Sequence, residues 1–98
     1  MDFKVLIAES AIADLKEIVE FVAQHNAVAA ERLGHKLLAQ ALSLGAMPQR
    51  FALHDKSRAI RKMPAPPFLI YYSCDESRQA VSVLHFWHGA RLSPHFQG

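Results

Sequence analysis

Two apolar, aromatic-rich runs stand almost back to back near the end of the chain, and they limit its fold more than any other feature. The first is Phe68-Leu-Ile-Tyr-Tyr72, continuing to Cys74, and the second is Ala80-Val-Ser-Val-Leu-His-Phe-Trp87, continuing to His88. Both are rich in β-branched and aromatic residues, which suit a pleated, half-buried surface. Only Asp75-Glu-Ser-Arg-Gln79 separates them, a polar stretch too short for a crossover, so the runs must return antiparallel as a hairpin. Ser57-Arg-Ala-Ile-Arg-Lys-Met63 reads as a further strand, and Pro64-Ala-Pro-Pro67 as a stiff loop joining it to the hairpin. Phe51-Ala-Leu-His-Asp55 fits neither period clearly.

Before Pro48 the apolar period is helical. Phe3-Lys-Val-Leu-Ile-Ala8 is a short strand, after which Ser10 is placed as a helix N-cap with Asp14 and Glu17 near the positive helix end. Ala11, Leu15, Ile18 and Val22 form one stripe, widened by Ile12 and Val19, with Asp14, Lys16, Glu17 and Glu20 on the water side. Asn26 breaks this helix and caps the next, whose stripe is Ala30, Leu33, Leu37, Ala41 and Leu44, closed by Gly45 and Pro48. Small alanines in both stripes allow close approach, hence an antiparallel helical hairpin. The expected fold class is α+β, in the order β-α-α-β-β-β, with the helical hairpin packed on one face of a mainly antiparallel sheet.

At 98 residues the chain has the length of one domain, residues 1–98. With 51% hydrophobic and 20% charged residues it has the composition of a folded globular protein. No apolar run approaches the roughly 20 residues that cross a bilayer, and Met1-Asp-Phe-Lys4 lacks the layout of a signal peptide, so no membrane partner is expected. The single Cys74 cannot form an internal disulfide, which suits the cytoplasm. His25, His35, His54, His85, His88 and His95 show no ligand-like spacing, so neither a metal nor another cofactor is expected. Charge is divided unevenly. Residues 1–49 carry four Lys/Arg against six Asp/Glu, and residues 50–98 carry seven against three. A basic C-terminal half could meet an anion, a nucleic acid or an acidic protein, or could serve solubility alone.

Several of these residues, in this order, resemble one bacterial family. They are Ala13-Asp14-Leu15 with Ile18, Ala29 and Ala30 after Asn26, Pro48, Ile60-Arg61 with Pro64, Phe68-Leu-Ile-Tyr-Tyr72, and His88-Gly-Ala-Arg91. The chain resembles toxins of the RelE/ParE superfamily from type II toxin–antitoxin systems, the plasmid stabilisation proteins, and its His-Gly-Ala-Arg ending is closer to the ParE-like branch. Phe68 stands where Tyr is common, and Ser73 where a basic residue often follows.

The resemblance implies a growth-inhibiting toxin held by a cognate antitoxin in a hetero-oligomer, with DNA gyrase as the ParE-like target. Its alternative is a RelE-like, metal-independent endonuclease cutting mRNA on the ribosome, and a third reading is a structural module without toxicity. If the chain were a ribonuclease, Arg61 and Arg91 would steady the phosphorane and His88 would move protons. Lys56, Arg58, Lys62, His54 and His95 would contact the target or nucleic acid. RelE nucleases often carry a Tyr in the C-terminal tail, whereas the tail here is Pro94-His95-Phe96-Gln-Gly98. Other readings are open for the same residues: His88 as a backbone-bonded strand end, Arg91 in an ion pair with a helix carboxylate, and His85 as a satisfied, partly buried histidine. Tyr71, Tyr72, Phe86 and Trp87 could stack on bases, but neighbours in a strand point to opposite faces, so one of each pair belongs to the core.

Overall fold

The computed structural model describes residues 2–92 together with Pro94 and Phe96. Strand β1 (Lys4–Ile7) leads into helix α1 (Glu9–Ala23), which is followed by α2 (Ala27–Leu42), β2 (Leu53–Asp55), β3 (Ile60–Ala65), β4 (Phe68–Asp75) and β5 (Ala80–His88). Short 3-10 turns at Ser43–Gly45 and Pro48–Arg50 join α2 to β2. The sheet order is β1-β5-β4-β3-β2, with β1 parallel to β5 and every other pair antiparallel. This is the expected α+β class, with one short strand added where Phe51–Asp55 was ambiguous.

The helical hairpin covers one face of the sheet. Ala11 of α1 and Leu37 and Ala41 of α2 meet Met63, Ile70, Tyr72, Val81, Val83 and Phe86 in one buried cluster, with Leu15, Ile18 and Leu33 packed against it. Asn26 caps α2, its side chain accepting from the Ala29 amide at 3.0 Å. The helices approach closely at Gly34, where a Cβ would stand 3.1 Å from Val19 Cγ2.

Three local expectations are corrected. Ser10 is not the N-cap of α1; Ala8 is, and the Ser10 hydroxyl donates instead to the Leu84 carbonyl at 2.6 Å. Asp14 does not face water but accepts from the Phe86 amide at 3.2 Å and from His85 Nδ1 at 2.6 Å. One cause explains both. β1 pairs with β5 only as far as Val83, and beyond it α1 runs along the open β5 edge and satisfies its polar groups with side chains. The stiff loop is also shorter than expected. Pro64 and Ala65 belong to β3, and only Pro66-Pro67, joined by a cis peptide bond, make the turn. β2 pairs no further along β3 than Arg61, so the amide that Pro64 lacks would have faced an open edge.

A bulge in β5 decides what each face of the sheet displays. Tyr71 pairs with His85 but Tyr72 pairs with Val83, leaving Leu84 as the extra residue. Simple alternation from Val81 and Val83 would put His85 and Trp87 in the core. The bulge instead turns Phe86 inward, where it is 1% exposed, and moves His85 and Trp87 to the outer face.

Candidate functional site

The outer face of the sheet, away from the helices, holds most of the candidate residues. Residues directly opposite each other on paired strands share a face, so Lys62, Tyr71 and His85 form one row, with Leu69 and Trp87 in the next. His54 of β2 meets the Tyr71 ring edge-on, centroids 4.9 Å apart. Phe96 closes over both, 5.4 Å from Tyr71, 6.0 Å from His54 and 5.7 Å from His85. Tyr71 is therefore buried although it faces away from the main core. Arg58 reaches the same place, donating from Nη1 to the Phe96 carbonyl at 2.6 Å. Its turn is organised by Asp55, whose carboxylate accepts from the Ser57 hydroxyl at 2.7 Å and from the Ser57 and Arg58 amides. The Ser57 hydroxyl bond chiefly holds the Asp55 carboxyl below its ordinary range. Lys56 is exposed in that turn.

Arg91 completes this face. Its guanidinium lies 4.0 Å over the Trp87 ring, and Trp87 Nε1 donates to the Leu92 carbonyl at 2.6 Å. Among the described residues Arg91 forms no ion pair with a helix carboxylate. The preceding turn depends on Gly89, whose amide donates to the Pro67 carbonyl at 2.8 Å and whose missing Cβ would stand 3.1 Å from that oxygen.

Arg61 and His88 lie elsewhere. Arg61 pairs with Tyr72 and so projects from the helix face, where Nη1 donates to the Phe51 carbonyl at 2.7 Å and to the Gln49 carbonyl at 3.2 Å. It fastens the 3-10 turn at Pro48–Arg50, as does Tyr72, whose hydroxyl donates to the Pro48 carbonyl. Burial pushes the Tyr72 hydroxyl above its ordinary pKa. His88 pairs with Phe68, its ring edge-on at 5.5 Å, in a hollow of about 220 Å³ shared with Ile18 and Phe21 of α1. His88 Nδ1 accepts from the Ala90 amide at 3.1 Å, so neutral His88 carries its proton on Nε2. The structure thus gathers Arg58, Lys62, His54 and Arg91 on one face and separates Arg61 and His88 from them. His95 lies outside the described residues. Among the described residues no cluster of three His, Cys, Asp or Glu is placed to hold a metal ion.

Sequence reasoning did not anticipate the His85–Asp14 pair, the stacking of Arg91 on Trp87, or Phe96 as a cover for Tyr71. For the first, Asp14 on a predicted water face gave no signal. For the others, the aromatic spacing from Trp87 to Phe96 was available but does not reveal which face the strand presents.

The helix side carries a second feature, an apolar groove of about 750 Å³ between α1 and α2. Leu15, Val19, Ala30 and Leu38 line it, with Lys16 and Glu31 among its charged residues.

The family model described as ParE toxin of type II toxin-antitoxin system, parDE, matches residues 5–93. The chain belongs to the ParE toxin family. It is therefore a type II toxin–antitoxin toxin of the ParE/RelE superfamily. Two solved structures share the fold of this ParE-family chain. The toxin–antitoxin complex RelBE2 from Mycobacterium tuberculosis is 17% identical with a TM-score of 0.71, over 93% of this chain and 95% of that one. The chromosomal ParDE system from P. aeruginosa is 16% identical with a TM-score of 0.74, over 88% and 95%. No curated relative matches the chain. No helix among the described residues is long and apolar enough to cross a membrane.

Proposed function

We propose that this ParE-family toxin acts by binding DNA gyrase rather than by cutting RNA, with the 98 residues working as one toxin domain. The observation that carries this reading is the dispersal of Arg61, His88 and Arg91. General acid–base catalysis needs the proton-moving group within about 3 Å of the reacting atom, and the charge-stabilising cation must meet the same phosphate. Here Arg61 is bound to backbone carbonyls on the helix side, His88 lines an open hollow beside Phe68, and Arg91 lies on Trp87 across the sheet. Each residue supports local structure, and no two of the three share a space that a scissile phosphate could enter.

Neutralisation by a cognate antitoxin follows from family membership, and both structural neighbours come from toxin–antitoxin systems. The α1–α2 groove is suited to an amphipathic segment of that antitoxin, giving a toxin–antitoxin hetero-oligomer. The second reading, a ribosome-dependent mRNA endonuclease, is favoured only by the shared outer-face placement of Arg58, Lys62 and His54. Two assays separate them. The gyrase reading expects trapped gyrase–DNA cleavage complexes with purified toxin and gyrase. Cleavage of mRNA within the A-site codon on translating ribosomes would overturn it.

A further inference from the structure

We infer that the hollow between α1 and the open end of the β4–β5 hairpin receives one cationic side chain, an arginine, from the cognate antitoxin. Glu17, Ile18, Phe21 and Val22 of α1 form one wall, and Phe68 and His88 form the other. Phe68 and His88 pair directly across the strands, and their rings meet at 81° with centroids 5.5 Å apart, making two sides of a box. His88 Nδ1 accepts from the Ala90 amide, which holds the imidazole in place. Glu17 and Phe21 stand one helical turn apart on α1 and so share a side of it. Phe21 is 66% exposed, which leaves most of its ring available to a ligand.

Size and charge select the ligand. The volume of about 220 Å³ lies below the roughly 300–1,000 Å³ of small-molecule sites, so the hollow suits one side chain and not a metabolite. Aromatic ring faces are negative and attract a cation. With His88 neutral, Glu17 alone of the lining residues carries a full charge, and among the described residues it forms no ion pair. An anion is therefore repelled, and an apolar side chain would cover the carboxylate without satisfying it. Arginine fits better than lysine, because its planar guanidinium stacks on rings and donates in its plane to a carboxylate. The source of the arginine rests on the reading that the α1–α2 groove takes an antitoxin segment. Lys16 and Glu20 line that groove while Glu17 and Phe21 line the hollow, so the two sites flank α1. A chain leaving the groove crosses one helix, about 10 Å, which three extended residues span.

Nα-acetyl-arginine amide is titrated into the purified chain at about pH 8, above the ordinary histidine range, and followed by heteronuclear NMR. Saturable shifts are expected at the Phe21, Phe68 and Gly89 amides. The citrulline analogue, neutral and of the same shape, binds roughly fivefold more weakly. Phe21→Leu keeps an apolar wall without the ring, and Glu17→Gln keeps the shape without the charge. Each weakens arginine binding roughly three- to fivefold, with unchanged circular dichroism showing that the fold persists. In the co-purified toxin–antitoxin complex, Glu17→Gln speeds antitoxin release by a similar factor, while Ile12→Ser, on the groove wall, probes the groove itself. No saturable shift, equal binding of citrulline, or an unchanged release rate in Glu17→Gln overturns the inference. If Ile12→Ser alone speeds release, the groove reading stands without the arginine site, and if neither change does, both fall. Lost gyrase inhibition in Glu17→Gln with unchanged antitoxin release would put the arginine on the target and overturn its assignment to the antitoxin.

Discussion

Asp14 holds together two parts of the molecule that are far apart in sequence. Its carboxylate accepts from His85 and from the Phe86 amide, both on β5. Hydrogen bonds to a charged group contribute about 1.5–3 kcal/mol, and truncation also strands the donors left behind. Asp14→Ala is therefore expected to lower stability by about 2–3 kcal/mol, seen as a lower urea midpoint with an unchanged slope. Tyr72 plays a comparable part on the other side of the sheet, where its hydroxyl bonds the Pro48 carbonyl from within the core. Burial raises its pKa in the folded chain, so the folded state resists ionisation that the unfolded chain undergoes near pH 10. The stability this confers is full below pH 10 and is lost as pH rises through the raised value. Tyr72→Phe should cost about 1 kcal/mol at neutral pH and make the alkaline decline shallower, measured by urea unfolding at several pH values. A substituted chain that declines just as steeply would assign that decline to other groups. Neither residue's role was legible in the sequence. Tyr72 was one of two adjacent tyrosines of unknown facing, and Asp14 sat on a face that helical periodicity alone gives to water.

At the level of elements, the helical hairpin was readable because its signals are local. Asn26 caps α2 where the apolar stripe breaks, and the hairpin's faces follow the 3.6-residue period. Closeness of approach depends on Gly34, set against Val19 with almost no space for a side chain. Gly34→Leu is expected to force the helices apart and destabilise the chain by about 1–3 kcal/mol, against a gain in helix propensity of at most about 1 kcal/mol. Thermal unfolding measures the net effect, and a raised midpoint would show that the helices separate without loss. The strands were less legible. β4 and β5 stood out by composition, whereas β2 is three residues long and exists through pairing with β3. Pro64 looked like loop material because its tolerance in β3 depends on which edge lies uncovered, a property of the sheet and not of the residue.

Across the whole molecule, the division of chemistry between two faces governs what the toxin can do. The helix side offers an apolar groove, and the far side of the sheet offers basic side chains with Arg91 stacked on Trp87. Arg91 lies at the surface on Trp87, so its loss should remove a contact worth about 0.5–1 kcal/mol while the fold persists. Arg91→Ala is expected to abolish growth arrest on induced expression without antitoxin, with a melting temperature within a few degrees of the parent. Growth arrest at the parent level would show that Arg91 has no essential part in toxicity. The amino-acid sequence by itself determined the helical hairpin, the β4–β5 hairpin, the α+β class and the kinship with ParE toxins, because periodicity, capping and short-range motifs are written in neighbouring residues. Tertiary structure alone decided which candidates stand together. The bulge at Leu84 reverses the facing of His85, Phe86 and Trp87, and the end of β1 at Ile7 leaves an edge that only α1 can satisfy. Both depend on the register between distant strands. A shift of one residue there exchanges the two faces, which is why Arg61 and Arg91, alike in sequence as exposed cations near strand ends, finish on opposite sides of the sheet.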